Sequence, residues 1–286
     1  MKPPPFAYAR AESLDEALDL LREAGPDAKL LAGGQSLLPL LAYRLIRPSH
    51  LVDLDATAGL DGIELADGAV ELGALVRHAR LERAALPGAA SLLAQAAGLI
   101  GHVPIRVRGT LGGSLAHADP AAELPVACLA LDARIVVRSS DGEHEVAAED
   151  FFQGPFTTAL GEAQLVAAVR LPGSGLRSGG AFHEASLRAG DFALAAAAVA
   201  FAVDGRGRIE RARIALGGVA GRPVRSLDAE ALVTGEELGA VGATEVGLAA
   251  MGACEVPDDD EGRHRRELVS VLVRDAVVSV SRELAA

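Results

Sequence analysis

The sequence predicts an α+β protein, and three observations carry that reading. Helix and strand patterns alternate over the first 55 residues, and hairpin signals with Asp-Gly turns recur through the middle. Beyond residue 176, two apolar strand patterns flank a tight turn and precede two helical patterns that run to the C-terminus. The chain has 286 residues, which at about 150 residues per domain gives a prior of about two domains. Half of the residues are hydrophobic and only 3% aromatic, so the core is built from small aliphatic side chains, and the composition excludes a disordered chain.

The elements follow in order. Ser13 with Glu16 three residues later forms a capping box, after which Leu14, Ala17, Leu18 and Leu21 lie on one helical face until Gly25. Lys29 to Ala32 reads as a short strand running into Gly33-Gly34, Ser36 to Leu45 as a helix, and His50 to Leu54 as a strand. Together they make a small α/β unit over residues 1–55. Gly62 to Leu72 alternates apolar and polar residues around Asp67-Gly68, the mark of a tight hairpin. Val76 to Ala85, Ala89 to Leu99 and Ala121 to Leu131 read as helices, Arg134 to Arg138 and Leu165 to Leu171 as strands, with a second Asp-Gly turn at Asp141-Gly142. This mixed α+β unit covers residues 56–176 and ends on the linker Pro172-Gly173-Ser174-Gly175. A C-terminal α+β unit over residues 177–286 follows. In it, strands Phe192–Val203 and Arg208–Leu216 flank Asp204-Gly205-Arg206-Gly207, and Pro257 to Gly262 is a charged loop between the last helices.

Charge and cysteine count exclude several functions. The formal net charge of −12 repels nucleic-acid phosphates and anionic lipid, and no basic patch offsets it. The longest apolar run, Phe192 to Val203, is far short of the roughly 20 residues of a membrane span, so no transmembrane segment is expected. Three prolines at positions 3–5 stand where a secretory signal would be apolar, which predicts a cytoplasmic address. Two cysteines, Cys128 and Cys254, are too few for an iron–sulfur cluster and sit in small apolar contexts as free thiols. The seven histidines lack metal-ligand spacing, so no metal site is expected.

Two glycine pairs, Gly33-Gly34 before Gln35-Ser36 and Gly112-Gly113 between Thr110 and Ser114, couple permissive backbone to hydroxyls. Such loops let a ligand approach the main chain and present N–H groups to an anion without any lysine. The plain alternative is a pair of ordinary turns. Neither loop has the G-x-G-x-x-G, Walker or G-x-S-x-G pattern. His117 and Asp119 follow the second loop, where Asp119 either caps a helix starting at Pro120 or meets a ligand, and the two readings are compatible. Arg106 and Arg108 are spaced to face one side of an extended segment. Phe192 beside Asp191 is either core or a stacking surface for a planar ligand.

LLAGGQSLLPLLAYRLIRPSHLVDL (30–54), TLGGSLAHADPAAELP (110–125) and LRAGDFALAAAAVAF (187–201) resemble, in order and spacing, the FAD subunit of molybdenum hydroxylases. That family comprises the medium subunit of carbon-monoxide dehydrogenase and the flavin domain of xanthine dehydrogenase. The resemblance implies a vanillyl-alcohol-oxidase/PCMH-type FAD fold in two subdomains followed by a C-terminal α+β domain. It implies non-covalent FAD, with Leu30, Leu31, Ala32, Gly33, Gly34, Gln35, Ser36 and Leu37 around the pyrophosphate. Thr110, Gly112, Gly113 and Ser114 would face the phosphates and ribityl chain from the other side, with His117, Asp119, Glu123, Val166, Arg188 and Phe192 at further contact positions. It implies no catalytic side chain of the chain's own. The partners it implies are an iron–sulfur subunit, a molybdopterin-containing large subunit and an external electron acceptor, in a heterotrimer. Ser114 replaces the usual Asn, Gln35 a common His, and Phe192 the Tyr of the carbon-monoxide type. The first two departures, Ser114 and Gln35, keep open an assembly subunit that has lost flavin, and a free-standing flavin oxidase is a further alternative.

Overall fold

The computed structural model describes residues 2–66, 69–173 and 175–286; the expected turn at Asp67-Gly68 and Ser174 of the expected linker lie outside them. The chain opens with a strand the sequence reading did not specify, β1 (Ala7–Arg10), then α1 (Leu14–Ala24), β2 (Lys29–Leu31), α2 (Leu37–Ala42) and β3 (His50–Asp53). The strands form a parallel sheet in the order β1-β3-β2. Ser13 Oγ accepts from the Glu16 N–H at 3.1 Å, and Glu16 reaches back to the Glu12 N–H at 2.7 Å, so the predicted cap is present one residue wider than the usual box. Ala17, Leu18 and Leu21 are the buried face of α1; each fully buried leucine contributes about 1.5–3 kcal/mol.

The second unit contains β4 (Ile63–Ala66), β5 (Ala69–Gly73), α3 (His78–Leu81), α4 (Ser91–Leu99), α5 (Val103–Arg106), α6 (Leu111–His117) and α7 (Glu123–Ala130). It continues through β6 (Arg134–Ser139), β7 (Gly142–Ala147), α8 (Ala148–Phe151), the small β8 (Phe152–Gly154) and β9 (Thr157–Thr158), and β10 (Leu165–Leu171). Its five-stranded antiparallel sheet runs β4-β5-β10-β6-β7. The helix expected over Val76 to Ala85 shortens to one turn, because residues 74–78 are bound main chain to main chain against 109–112. Arg106 and Arg108 do not share an extended face. Val103–Arg106 is a helical turn, and the Arg106 guanidinium folds inward onto Glu82 at 3.0 Å and the carbonyls of Ile100 and Gly101.

The C-terminal unit is a second antiparallel sheet, β11 (Arg177–Ala185), β12 (Ala195–Val203), β13 (Ile209–Gly217) and β14 (Val224–Arg225), with α9 (Leu227–Val233), α10 (Ala243–Ala250) and α11 (Asp260–Ala285). Three helices stand where two patterns were expected, and Asp259 caps α11 inside the expected loop 257–262, its carboxylate accepting from the Gly262 N–H at 2.8 Å. Alternate residues of β12 divide between two cores, as strand geometry requires. Ala196, Ala198 and Ala200 join the core shared with α4 and α7, while Ala195, Ala197 and Val199 join the core under α11. The architecture is the expected mixed α+β fold, a cofactor-domain region followed by an antiparallel sheet with helices. Among the described residues no helix is long and apolar enough to cross a membrane, and no cluster of metal-ligating side chains occurs.

Candidate functional site

The two glycine loops, 79 residues apart in sequence from Gly33 to Gly112, meet. A Cβ on Gly33 would overlap the Arg108 carbonyl oxygen and lie 2.8 Å from the Gly109 Cα; one on Gly113 would lie 3.8 Å from Ala32 Cβ. Gly34 adopts φ 73°, a left-handed conformation open to glycine at little cost, and it turns the chain from β2 into α2. The N–H groups of Gly33, Gly34, Gln35 and Ser36 have no acceptor among the described residues. Four adjacent free donors are the backbone provision for a phosphate. The Gln35 side chain instead folds back to donate to the Gly33 carbonyl at 3.0 Å.

The second loop works differently from the expectation that its N–H groups point at an anion. Leu111 and Gly112 donate to the Val76 and Ala74 carbonyls at 2.9 and 2.8 Å, Gly113 to Thr110 Oγ1 at 3.2 Å, and Ser114 to the Thr110 carbonyl. Its donors are consumed in fixing the loop as the capped start of α6. A Cβ on Gly112 would sit 2.5 Å from that of Ala74, so close packing, not ligand approach, selects that glycine. Beneath the loop, His78 is 5% exposed, donates its N–H to the Gly109 carbonyl, and has both ring nitrogens unpaired among the described residues. Burial lowers its pKa to about 4, opposed by the nearby Thr110 backbone and assisted by the positive Arg106 and Arg77.

Charges join the two subdomains around this junction. Asp55, just past β3, pairs with Arg77 and lies 3.8 Å from Arg108, while Arg77 also donates to the Arg108 carbonyl. Sequence reasoning missed Asp55, Arg77 and His78, since nothing local marks them; they matter through contacts across the fold.

The remaining predicted residues are placed as follows. His117 ends α6 with its ring 5.1 Å from Phe156, its pKa lowered by burial against the opposing Asp119. Asp119 Oδ1 accepts from the Ala121 N–H at 2.9 Å, turning the chain before α7 rather than capping a helix at Pro120. Glu123, 7% exposed at the start of α7, is pushed up to about 8 by burial, with Glu184 and Asp119 adding to it and its own N–H opposing. Leu30 and Leu31 lie on β2, and Leu37 begins α2. Val166 is buried in β10 opposite Val137, a packing position. Arg188 and Phe192 lie in the exposed turn between β11 and β12, Phe192 being 72% exposed, outside the strand expected to begin there. That turn packs against the start of α5, for a Cβ on Gly190 would meet the His102 ring at 2.5 Å. Cys128 is buried, its thiol pushed up to about 12, and Cys254 is half-buried; both are free.

A free-amide loop with a second, glycine-rich loop packed against it is an arrangement that can receive the phosphates of a nucleotide cofactor. Comparison with known proteins agrees. Residues 4–174 match the FAD binding domain in molybdopterin dehydrogenase, and residues 180–280 the CO dehydrogenase flavoprotein C-terminal domain. The chain is 44% identical to the 6-hydroxypseudooxynicotine dehydrogenase complex subunit alpha of Paenarthrobacter nicotinovorans over 80% of its length and 78% of that protein's. It is 36% identical to the glyceraldehyde dehydrogenase medium chain of Sulfolobus acidocaldarius over 98% of its length and 100% of that protein's. It superposes on a chain of carbon monoxide dehydrogenase from Hydrogenophaga pseudoflava with a TM-score of 0.91 and 33% identity, all of both chains being covered. The chain belongs to this family, the FAD-binding subunits of molybdenum hydroxylases, and FAD is its cofactor.

Proposed function

We propose that the chain is the electron-transfer subunit of such a complex, taking electrons from the iron–sulfur subunit and delivering them to an external acceptor, while a molybdopterin-containing large subunit handles the substrate. The observation that carries the reading is the run of four free main-chain donors at Gly33 to Ser36, closed over by the second glycine loop. These donors, within Leu30 to Leu37, would hold the pyrophosphate, neutralising charge through backbone dipoles in a chain of net charge −12. Thr110, Gly112, Gly113 and Ser114 form the opposite wall. His117, Asp119 and Glu123 line its continuation, Val166 backs it, and Arg188 and Phe192 offer a cation and an aromatic face to the isoalloxazine. Bound there, FAD supplies reversible electron exchange, and the protein's share is binding, orientation and tuning. No thiol serves as a tether, which supports non-covalent binding. Two cysteines also leave the clusters to a partner, in a heterotrimer. The division 1–55, 56–176 and 177–286 places the pyrophosphate loop in the first unit, the facing loop in the second and Phe192 in the third. A cytoplasmic address fits this assembly.

The test is the visible spectrum of the chain expressed alone, with mass analysis of cofactor released by heat. FAD at about one per chain, as one site implies, is the expected result. A folded protein that stays colourless when incubated with FAD would overturn the reading in favour of an assembly subunit.

A further inference from the structure

A cavity of about 90 Å³ lies where the second unit meets the C-terminal sheet, at the end of α7 remote from Glu123. The register of the sheet builds its polar wall. Ser178 on β11 stands opposite Ala202 on β12, which stands opposite Arg211 on β13; two residues along, Gly180, Ala200 and Arg213 make a second such row. Paired and alternate residues share a face, so Ser178, Arg211 and Arg213 lie on the side of Ala198 and Ala200, toward the core shared with α4 and α7. They stand where that core runs out, against Asp132 just past α7 and Leu171-Pro172 at the end of β10. The Arg213 Nε donates to both carboxylate oxygens of Asp132 at 2.8 and 2.9 Å and its Nη1 to the Ala212 carbonyl at 2.9 Å, which leaves Nη2 without an acceptor among the described residues. Arg211, half-buried, has neither hydrogen bond nor ion pair among them. Ser178 Oγ accepts from the Ala89 N–H at 3.2 Å, so its own proton remains to be donated.

We propose that this cavity binds a compact oxyanion, phosphate or a short carboxylate, between the guanidinium groups of Arg211 and Arg213, with the Ser178 hydroxyl as a third donor. Two guanidinium groups against the single carboxylate of Asp132 leave the wall with an excess of positive charge, in a chain whose net charge is −12. A guanidinium drawn partly out of water without a counter-ion favours an anion beside it. Its planar fork of N–H groups meets a carboxylate or a phosphate through paired bonds, so the shared chemistry is that of an oxyanion and not of a halide. Volume sets the size of the guest. About 90 Å³ holds a few waters or one small anion, whereas a cofactor-sized ligand needs roughly 300 Å³ or more. Val70, Ala90 and Leu171 close the remaining sides with apolar groups that offer a larger polar molecule nothing. The donors sit after the 172–176 segment and Asp132 before it, so an anion here ties the C-terminal sheet to the second unit. The eight residues of α7, about 12 Å of helix, separate this wall from Glu123, and the proposal does not depend on the flavin reading.

The test follows the melting temperature of the full chain during titration with sodium phosphate, ionic strength being held constant with sodium chloride. FAD is present throughout, so that the cofactor covers the free amides at Gly33 to Ser36. The wild type should gain about 3 °C and saturate, with half the effect on the order of 1 mM, the affinity that two or three charge-assisted hydrogen bonds support. Arg211→Gln removes the unpaired fork and Ala202→Val fills the cavity, and each should lose most of the saturable shift. A parallel titration with sodium acetate tells a carboxylate site from a phosphate site by which anion saturates at the lower concentration. A wild type with no saturable shift from either anion overturns the proposal, as does an unchanged shift in Arg211→Gln; should that variant not fold, an unchanged shift in Ala202→Val does the same. If the chain takes up no FAD, the flavin reading falls, while the difference between the wild type and Arg211→Gln still decides this one.

Discussion

His78 should make the flavin-free protein acid-labile by a calculable amount. Its ring is buried beneath the second glycine loop with neither nitrogen paired, and its pKa falls from 6.5 to about 4. The unfolded chain takes up a proton on this residue near pH 6.5 and the folded chain near pH 4, so the unfolded state holds more protons in that window and stability rises with pH across it. A group this buried requires no discount for solvent screening, and 2.5 pH units at about 1.36 kcal/mol each give about 3 kcal/mol, present above pH 6.5 and lost as pH falls to 4. His78→Leu removes the titration at the cost of a packing penalty that is the same at every pH. Urea unfolding of both proteins from pH 7 to pH 4 should therefore show the wild type losing about 3 kcal/mol relative to the variant, the carboxylates cancelling in the difference. A difference constant to within about 0.5 kcal/mol would refute the account of His78 as a neutral, desolvated support.

Further outcomes follow from other contacts. Gly33→Ala drives a methyl into the Arg108 carbonyl and should part the two loops, giving a folded protein with little bound FAD by absorbance at flavin wavelengths. Phe192→Ala should leave the melting temperature within about 2 °C, since the ring is 72% exposed, yet alter the flavin circular dichroism; an unchanged flavin signal would show that Phe192 does not stack. Glu230 is buried between Arg225, paired at both oxygens, and the Ile214 N–H, so Glu230→Ala should cost about 3–5 kcal/mol in denaturant unfolding.

Much of this site is legible in the sequence because glycine carries a backbone requirement that survives without its context. Gly34 needs its left-handed φ and Gly33 its missing side chain, and both stand beside a strand end recognisable from Lys29 to Ala32. The capped first helix and β10 are legible for the same reason, being set by residues near one another. What was not legible depends on distant contacts. Thr110 is a helix cap rather than a member of an open loop because Ala74 and Val76 take the next amides. Arg106 turns inward because Glu82 awaits it. Phe192 continues the apolar run of β12 in sequence, yet the turn at Gly190 lifts it out.

The nine residues of β12, six of them alanine, are buried along their whole length and on both sides. The strand is therefore a party wall: one tenant is the cofactor region, the other the helical layer, and neither owns a full enclosure without it. Severing the chain in the 172–176 segment would bare two matching oily surfaces at once, so the halves should come out of the cell as aggregates when made separately and recover together when co-produced. The thinness of the wall also limits drift in the gene, since a methyl or two added on either side pushes against a neighbour with no solvent to give way.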